Sequence, residues 1–179
     1  AETSEELMDK FFNNEPFTNE EIHAALRAGV ENNEITPVLC GSSFTSVSIR
    51  KVLDAVLEFL PAPDEIPAVK GEINGEETIV NIAASEPLCA LVFKTIADPF
   101  VGKLSFVRVY SGELKADSSV YNSNQGIDEK IGKLYIMHGK KQEDTPVLSA
   151  GDIGAIPKLA KTKTGDTLAT RQRPVILPG

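Results

Sequence analysis

The sequence predicts an α+β chain in two parts, a helix-rich front followed by an antiparallel β-barrel. Before residue 61 apolar residues recur at helical spacing behind Thr-x-x-Glu caps, and from Pro87 onward the period becomes that of strands cut by Gly, Asp and Asn turns. The charge changes sign between the two parts. Residues 1–86 hold 5 Lys or Arg against 17 Asp or Glu, a net of −12, whereas residues 87–179 hold 13 against 9, a net of +4. A break of that size at Glu86-Pro87 marks a domain boundary, and the basic part is where a phosphate backbone would be welcome.

In chain order, Thr3-Ser4-Glu5-Glu6 has the spacing of a capping box, and Leu7, Met8, Phe11 and Phe12 then recur as on one helix. Thr18-Asn19-Glu20-Glu21 repeats the device ahead of Ile22, Ala25 and Leu26, with Gly29 as the stop. Ile35 to Cys40 is a short apolar run that predicts a strand, Gly41-Ser42-Ser43-Phe44 a loop, and Val52, Leu53, Val56, Leu57 and Leu60 one face of a helix ended by Pro61. Pro61, Pro63 and Pro67 stiffen a tether, and Asn74-Gly75 between strand-prone residues predicts a tight hairpin. The barrel strands are expected at 88–96, 104–110, 119–121, 131–137, 153–157 and from Leu168 onward.

The composition, 41% hydrophobic and 25% charged over 179 residues, suits one globular domain with a smaller flanking piece. No stretch approaches the roughly 18 apolar residues of a membrane span, and the acidic start lacks a signal peptide's features, so a cytoplasmic, non-membrane protein is expected. Cys40 and Cys89 lie far apart in apolar runs and are expected as small buried hydrophobes rather than as a disulfide or zinc ligands. His23 and His138 have no Ser, Cys or carboxylate at a spacing that makes a triad, and no metal site is expected. No G-x-x-x-x-G-K-[ST] phosphate loop and no Asn-Lys-x-Asp occurs, so this chain by itself is expected neither to bind nor to hydrolyse GTP.

Two runs carry a more particular signal: Asp98-Pro99-Phe100-Val101-Gly102-Lys103-Leu104-Ser105-Phe106-Val107-Arg108-Val109-Tyr110-Ser111-Gly112, and Ala150-Gly151-Asp152-Ile153-Gly154-Ala155-Ile156 followed by Thr164-Gly165-Asp166-Thr167-Leu168. Together they resemble the second domain of bacterial elongation factor G, a translational GTPase. Cys40-Gly41-Ser42-Ser43-Phe44 resembles that family's last guanine-nucleotide motif, with Ser43 where alanine is usual. The resemblance implies that residues 1–66 are the end of a P-loop GTPase domain with an α/β sheet, 67–86 a linker with a hairpin, 87–172 a domain II barrel, and 173–179 the start of a linker to a further domain.

By the same resemblance, Gly41, Ser42, Ser43 and Phe44 would touch the guanine base in the intact parent, which would use GTP or GDP with Mg²⁺. The parent would bind the ribosome and promote translocation, with domain II resting on small-subunit rRNA and packing on the parent's other domains. Candidate rRNA contacts are Lys103, Arg108, Lys130, Lys133, Lys140 and Lys141, with Phe100 and Tyr121 secondary; an aromatic at the Phe100 turn is expected to cover its own core. No oligomer is expected. The run Gly139-Lys140-Lys141-Gln142-Glu143 departs from the common elongation factor G wording and resembles divergent paralogues. That leaves ribosome recycling or ribosomal protection as the alternative role, and a free-standing RNA- or tRNA-binding barrel as the reading from another class. Without the rest of its nucleotide domain, the front part is expected either to build a small core from Phe11, Phe12, Ile22, Leu26, Val52, Leu53 and Leu57 or to borrow a neighbour's surface.

Overall fold

The computed structural model describes residues 4–66, 68–99 and 102–178, and the chain divides into two compact units, Ala1–Ala62 and Pro63–Gly179. Phe100 lies outside the described residues, so its expected role is not addressed by the fold.

The first unit consists of α1 (Glu5–Phe12), α2 (Asn19–Glu31) and α3 (Ile49–Phe59). Ser4 caps α1, its hydroxyl accepting the Leu7 amide at 3.4 Å, so the cap sits one residue later than the expected Thr3 box, and Thr3 is outside the described residues. The second box forms as spaced: the Thr18 hydroxyl accepts the Glu21 amide at 3.2 Å while the Glu21 carboxylate accepts the Thr18 amide at 2.9 Å.

Gly29 does not stop α2. The helix runs on to Glu31, and Asn33 supplies the left-handed residue (φ 61°) beyond the end. Gly29 is buried because Ile35 folds back on it: a Cβ there would stand 2.6 Å from the Ile35 side chain.

Two further expectations for this unit are corrected. Residues 35–40 form no strand, since a strand needs a neighbour for its N–H and C=O groups and none is present among the described residues. Cys40 is consequently exposed. Of the two arrangements expected for the apolar residues, the small core does not form: Phe11, Phe12, Ile22, Leu26, Val52, Leu53 and Leu57 are all exposed, and Gly29 and Ala55 are the buried residues of the three helices among those described. Helical spacing aligned the apolar stripes, but three short helices offer too little opposing surface to bury them.

The second unit opens with a ribbon, β1 (Ala68–Ile73) and β2 (Glu76–Asn81), joined by Asn74 (φ 54°) and Gly75 (φ 88°) as a two-residue turn requires. Then follow β3 (Cys89–Asp98), β4 (Gly102–Ser111), β5 (Glu113–Lys115), β6 (Ser119–Asn122), β7 (Ile127–Lys130), β8 (Leu134–His138), β9 (Lys141–Thr145), β10 (Val147–Ser149), β11 (Ile153–Pro157) and β12 (Thr167–Ala169). Eight of these pair antiparallel in the order β7-β6-β12-β3-β4-β11-β8-β9, while β5 pairs with β10.

The fold is barrel-like, but its hydrogen-bond ladder is not continuous. The end strands β7 and β9 do not pair with each other; the β5–β10 pair closes that side, placing Leu114 and Leu148 in one core with Val92, Val107, Leu134 and Leu168. β7 and β9, of sequence IDEK and KQEDT, were invisible to an apolar pattern, and Ile131 lies outside the strands yet is fully buried. Between β4 and β5, Gly112 has φ 69°, and a Cβ on it would lie 2.6 Å from the Glu86 carbonyl oxygen and the Leu88 nitrogen. Only glycine fits there.

Residues 68–86 and 173–178, within the segments expected as linkers, pack together on the outside of the barrel. Val80, Cys89, Val175 and Leu177 form a second core joined by Leu91 and Tyr110, and Glu72 and Ile176 exchange backbone hydrogen bonds at 2.8 Å.

Candidate nucleic-acid interface

The connection from β11 to β12, residues 158–166, reads Lys-Leu-Ala-Lys-Thr-Lys-Thr-Gly-Asp, too polar and too short of apolar period to hold a shape by itself. Two buried carboxylates hold it. Glu129, 5% exposed on β7, accepts the amides of Lys161 (2.7 Å), Thr162 (2.8 Å) and Ala160 (3.3 Å) and the Thr162 hydroxyl (3.0 Å). Asp166 accepts the Lys163 amide at 2.8 Å and the Asn122 side-chain amide at 2.9 Å, and Asn122 also donates to the Thr162 hydroxyl at 3.0 Å. Burial by itself would raise the Glu129 carboxyl, but the surrounding amides and hydroxyl hold it below the ordinary carboxylate value.

The loop is also stitched to the β3–β4 hairpin. Gly165 donates to Val92 at 2.7 Å, Lys158 to the Lys103 carbonyl at 2.8 Å, and the Thr164 hydroxyl to that of Thr95 at 3.0 Å, while the Lys103 ammonium donates to the Thr162 carbonyl. Lys158, Lys161 and Lys163 remain exposed, as does Lys94 on β3. Lys158, Lys161 and Lys163 thus stand exposed on a loop tied to the hairpin, with the Lys103 ammonium holding it, and the carboxylates of Glu129 and Asp166 turn inward to bind the loop's own donors. Such an arrangement offers ammonium groups on a fixed backbone to successive phosphates, with little ordering cost on binding.

The residues singled out from sequence fall differently. Lys103 belongs to this cluster. Arg108, further along β4, lies with its guanidinium 4.9 Å from the Tyr110 ring centroid. Lys130 is exposed at the end of edge strand β7. Lys133, Lys140 and Lys141 sit on the β8–β9 hairpin, where Lys133 pairs with Asp144 at 3.0 Å and Lys141 with Glu143, which lowers the hairpin's appeal to a phosphate. Tyr121 is stacked by the Arg171 guanidinium, 4.7 Å from its centroid, and Arg171 pairs with Asp128. The six basic candidates therefore do not form one patch. Lys158, Lys161 and Lys163 escaped because their organiser, Glu129, is about thirty residues away in sequence; the Lys-x-x-Lys-x-Lys run before Thr-Gly-Asp was the available signal.

In the first unit, Gly41–Phe44 forms an open loop closed by the Ser42 amide on the Val47 carbonyl at 3.0 Å and by the Thr45 amide on the Ser42 hydroxyl at 3.3 Å. Ser43 and Phe44 are exposed, Phe44 at 97%. The chain carries no phosphate-loop sequence to accompany this loop. His23 is paired with Glu58 and His138 with Glu143, both histidines being exposed.

Residues 87–171 match the family described as elongation factor G domain 2. A crystal structure of a protein from Thermus thermophilus is similar at a TM-score of 0.69 and 28% identity, over 94% of this chain and 23% of that one. The chain thus spans about a quarter of the length of that similar protein.

Proposed function

We propose that the chain, whose residues 87–171 match the family described as elongation factor G domain 2, is the ribosome-docking part of a translational GTPase, resting on small-subunit rRNA through the 158–166 loop. The parent binds GTP or GDP with Mg²⁺ in a nucleotide domain of which residues 1–66 are the end, with Gly41–Phe44 against the guanine base, and it acts in the cytoplasm. Domain II relays the nucleotide state to the ribosome and the parent promotes translocation. The observation that carries the docking role is the lysine loop pinned over Glu129 and Asp166: rigid, cationic and free of outward carboxylates. The Gly139–Glu143 run, placed on an exposed hairpin, supports a recycling or protection paralogue as the second reading.

The test is binding of the purified chain to small ribosomal subunits across a salt series. Replacing Lys158, Lys161 and Lys163 together with alanine is expected to weaken binding about tenfold or more and to reduce the slope of log affinity against log salt by about 2–3. Unchanged affinity and slope would remove the loop from the interface.

A further inference from the structure

The outward face of the β3–β4–β11 sheet is covered at one end and open at the other. Toward Cys89, the ribbon and the 173–178 tail lie over Leu91 and Tyr110. From Arg108 onward the cover stops: Phe93 is 43% exposed and Ile153 55% exposed, with Phe106 half-buried beside Phe93. Phe93 stands in the β-bulge between Val92 and Lys94, which turns it out of the ladder; its ring lies 6.3 Å from that of Phe106, tilted by 53°. Arg108, beside Ile153 in register, has its Nε enclosed without a hydrogen-bond acceptor.

What would cover such a face is decided by its charge. Between Cys89 and Tyr110 the two strands carry Lys94, Lys103 and Arg108, and Asp98 at the far end of β3 is their one carboxylate. A protein partner burying Phe93 and Phe106 would have to neutralise Lys94 and Arg108; a nucleic acid brings its own phosphates and has a π-face on every unpaired base. Thr95, next to Lys94 on β3, ties the same strand to the lysine loop through the Thr164 hydroxyl.

We infer that this aromatic face binds unpaired nucleobases of a single-stranded RNA whose backbone runs over the lysine loop, with a base stacking on Phe93 and Phe106. The inference rests on the RNA-docking reading above and adds to it a preference for single-stranded over duplex RNA. A paired helix could still reach the lysines but would present no free base face to Phe93.

The experiment measures fluorescence anisotropy of the full chain with a short labelled RNA oligonucleotide of non-self-complementary sequence, single-stranded and as its duplex. The single strand is expected to bind tighter. Phe93→Ala should weaken it about tenfold, as loss of one stacked base predicts, and leave duplex binding within about twofold. Phe93→Tyr should restore single-strand binding, which a folding defect would not allow. Equal affinity for both RNA forms, or Phe93→Ala without effect on the single strand, overturns the inference while leaving lysine-loop docking intact. Loss of single-strand binding in the lysine-loop variant, with Phe93→Ala still weakening it in the parent sequence, supports a shared path. Absence of binding to either RNA overturns the inference, and unchanged ribosomal-subunit binding in the lysine-loop variant would separately overturn the docking role.

Discussion

Leu57 and Leu134 are the same side chain in opposite circumstances: the first lies on α3 and is 80% exposed, the second lies on β8 and is fully buried. The contrast extends to the units that hold them. In the first, the apolar stripes were written at helical spacing but stay largely exposed among the described residues. In the second, residues that are individually less periodic, such as Leu114 and Leu148 on three-residue strands, close a core because strands from far along the chain converge on them. Amphipathic patterning selects a conformation; burial needs a partner surface.

The two cysteines sharpen the contrast most strongly. Cys89 is buried and its thiol is pushed up to about 12 by that burial, against a smaller opposing pull from Arg173, whereas Cys40 is exposed. A thiol-specific reagent in neutral buffer is expected to label Cys40 promptly and Cys89 slower by about a thousandfold or more, with both labelled equally in denaturant. Comparable native rates would break the division between an open unit and a packed one.

The leucine pair gives the next largest effect. Leu134→Ala should cost about 3 kcal/mol of stability by chemical denaturation, from lost burial and a cavity, and Leu57→Ala under about 0.5 kcal/mol. If Leu57→Ala costs as much, α3 has found cover that its exposure denies.

A smaller effect tests whether the polar loop is held as firmly as the apolar core. Glu129→Gln keeps the shape but gives up a charged acceptor of three amides and a hydroxyl, and is expected to cost about 2 kcal/mol at neutral pH. Because the folded-state carboxyl is held below its ordinary value near 4.5, its stabilisation is full above that pH and is lost as pH falls through the depressed folded value. The gap in denaturation midpoint between parent and variant should therefore narrow on acidification. A gap that is constant down the acid range would show that the loop draws nothing from the Glu129 charge.

Much was legible locally. Asn74-Gly75 gave the ribbon its turn, Thr18 and Glu21 their reciprocal cap, and the apolar runs at 88–96, 104–110 and 153–157 became β3, β4 and β11 with ends moved by a residue or two. The charged edge strands β7 and β9 were not legible, because an edge strand needs one paired side and little apolar content. The lysine loop was half legible: Lys103, whose ammonium donates to the Thr162 carbonyl, was among the basic residues singled out from sequence, but Lys158, Lys161 and Lys163 looked like any solvated lysines.

The chain's own order of residues determined where helices cap, where turns reverse and which segments alternate, since each depends on groups within a few positions of one another. Contacts between distant positions decided the rest. Glu129 reaches Lys161 and Thr162 across 32 and 33 residues, Ile35 turns Gly29 into a point of close approach rather than a stop, and Cys40 is left in solvent where Cys89 is enclosed. The physical reason is that burial and saturation of polar groups are properties of what surrounds a residue, and that environment exists only once remote segments have met.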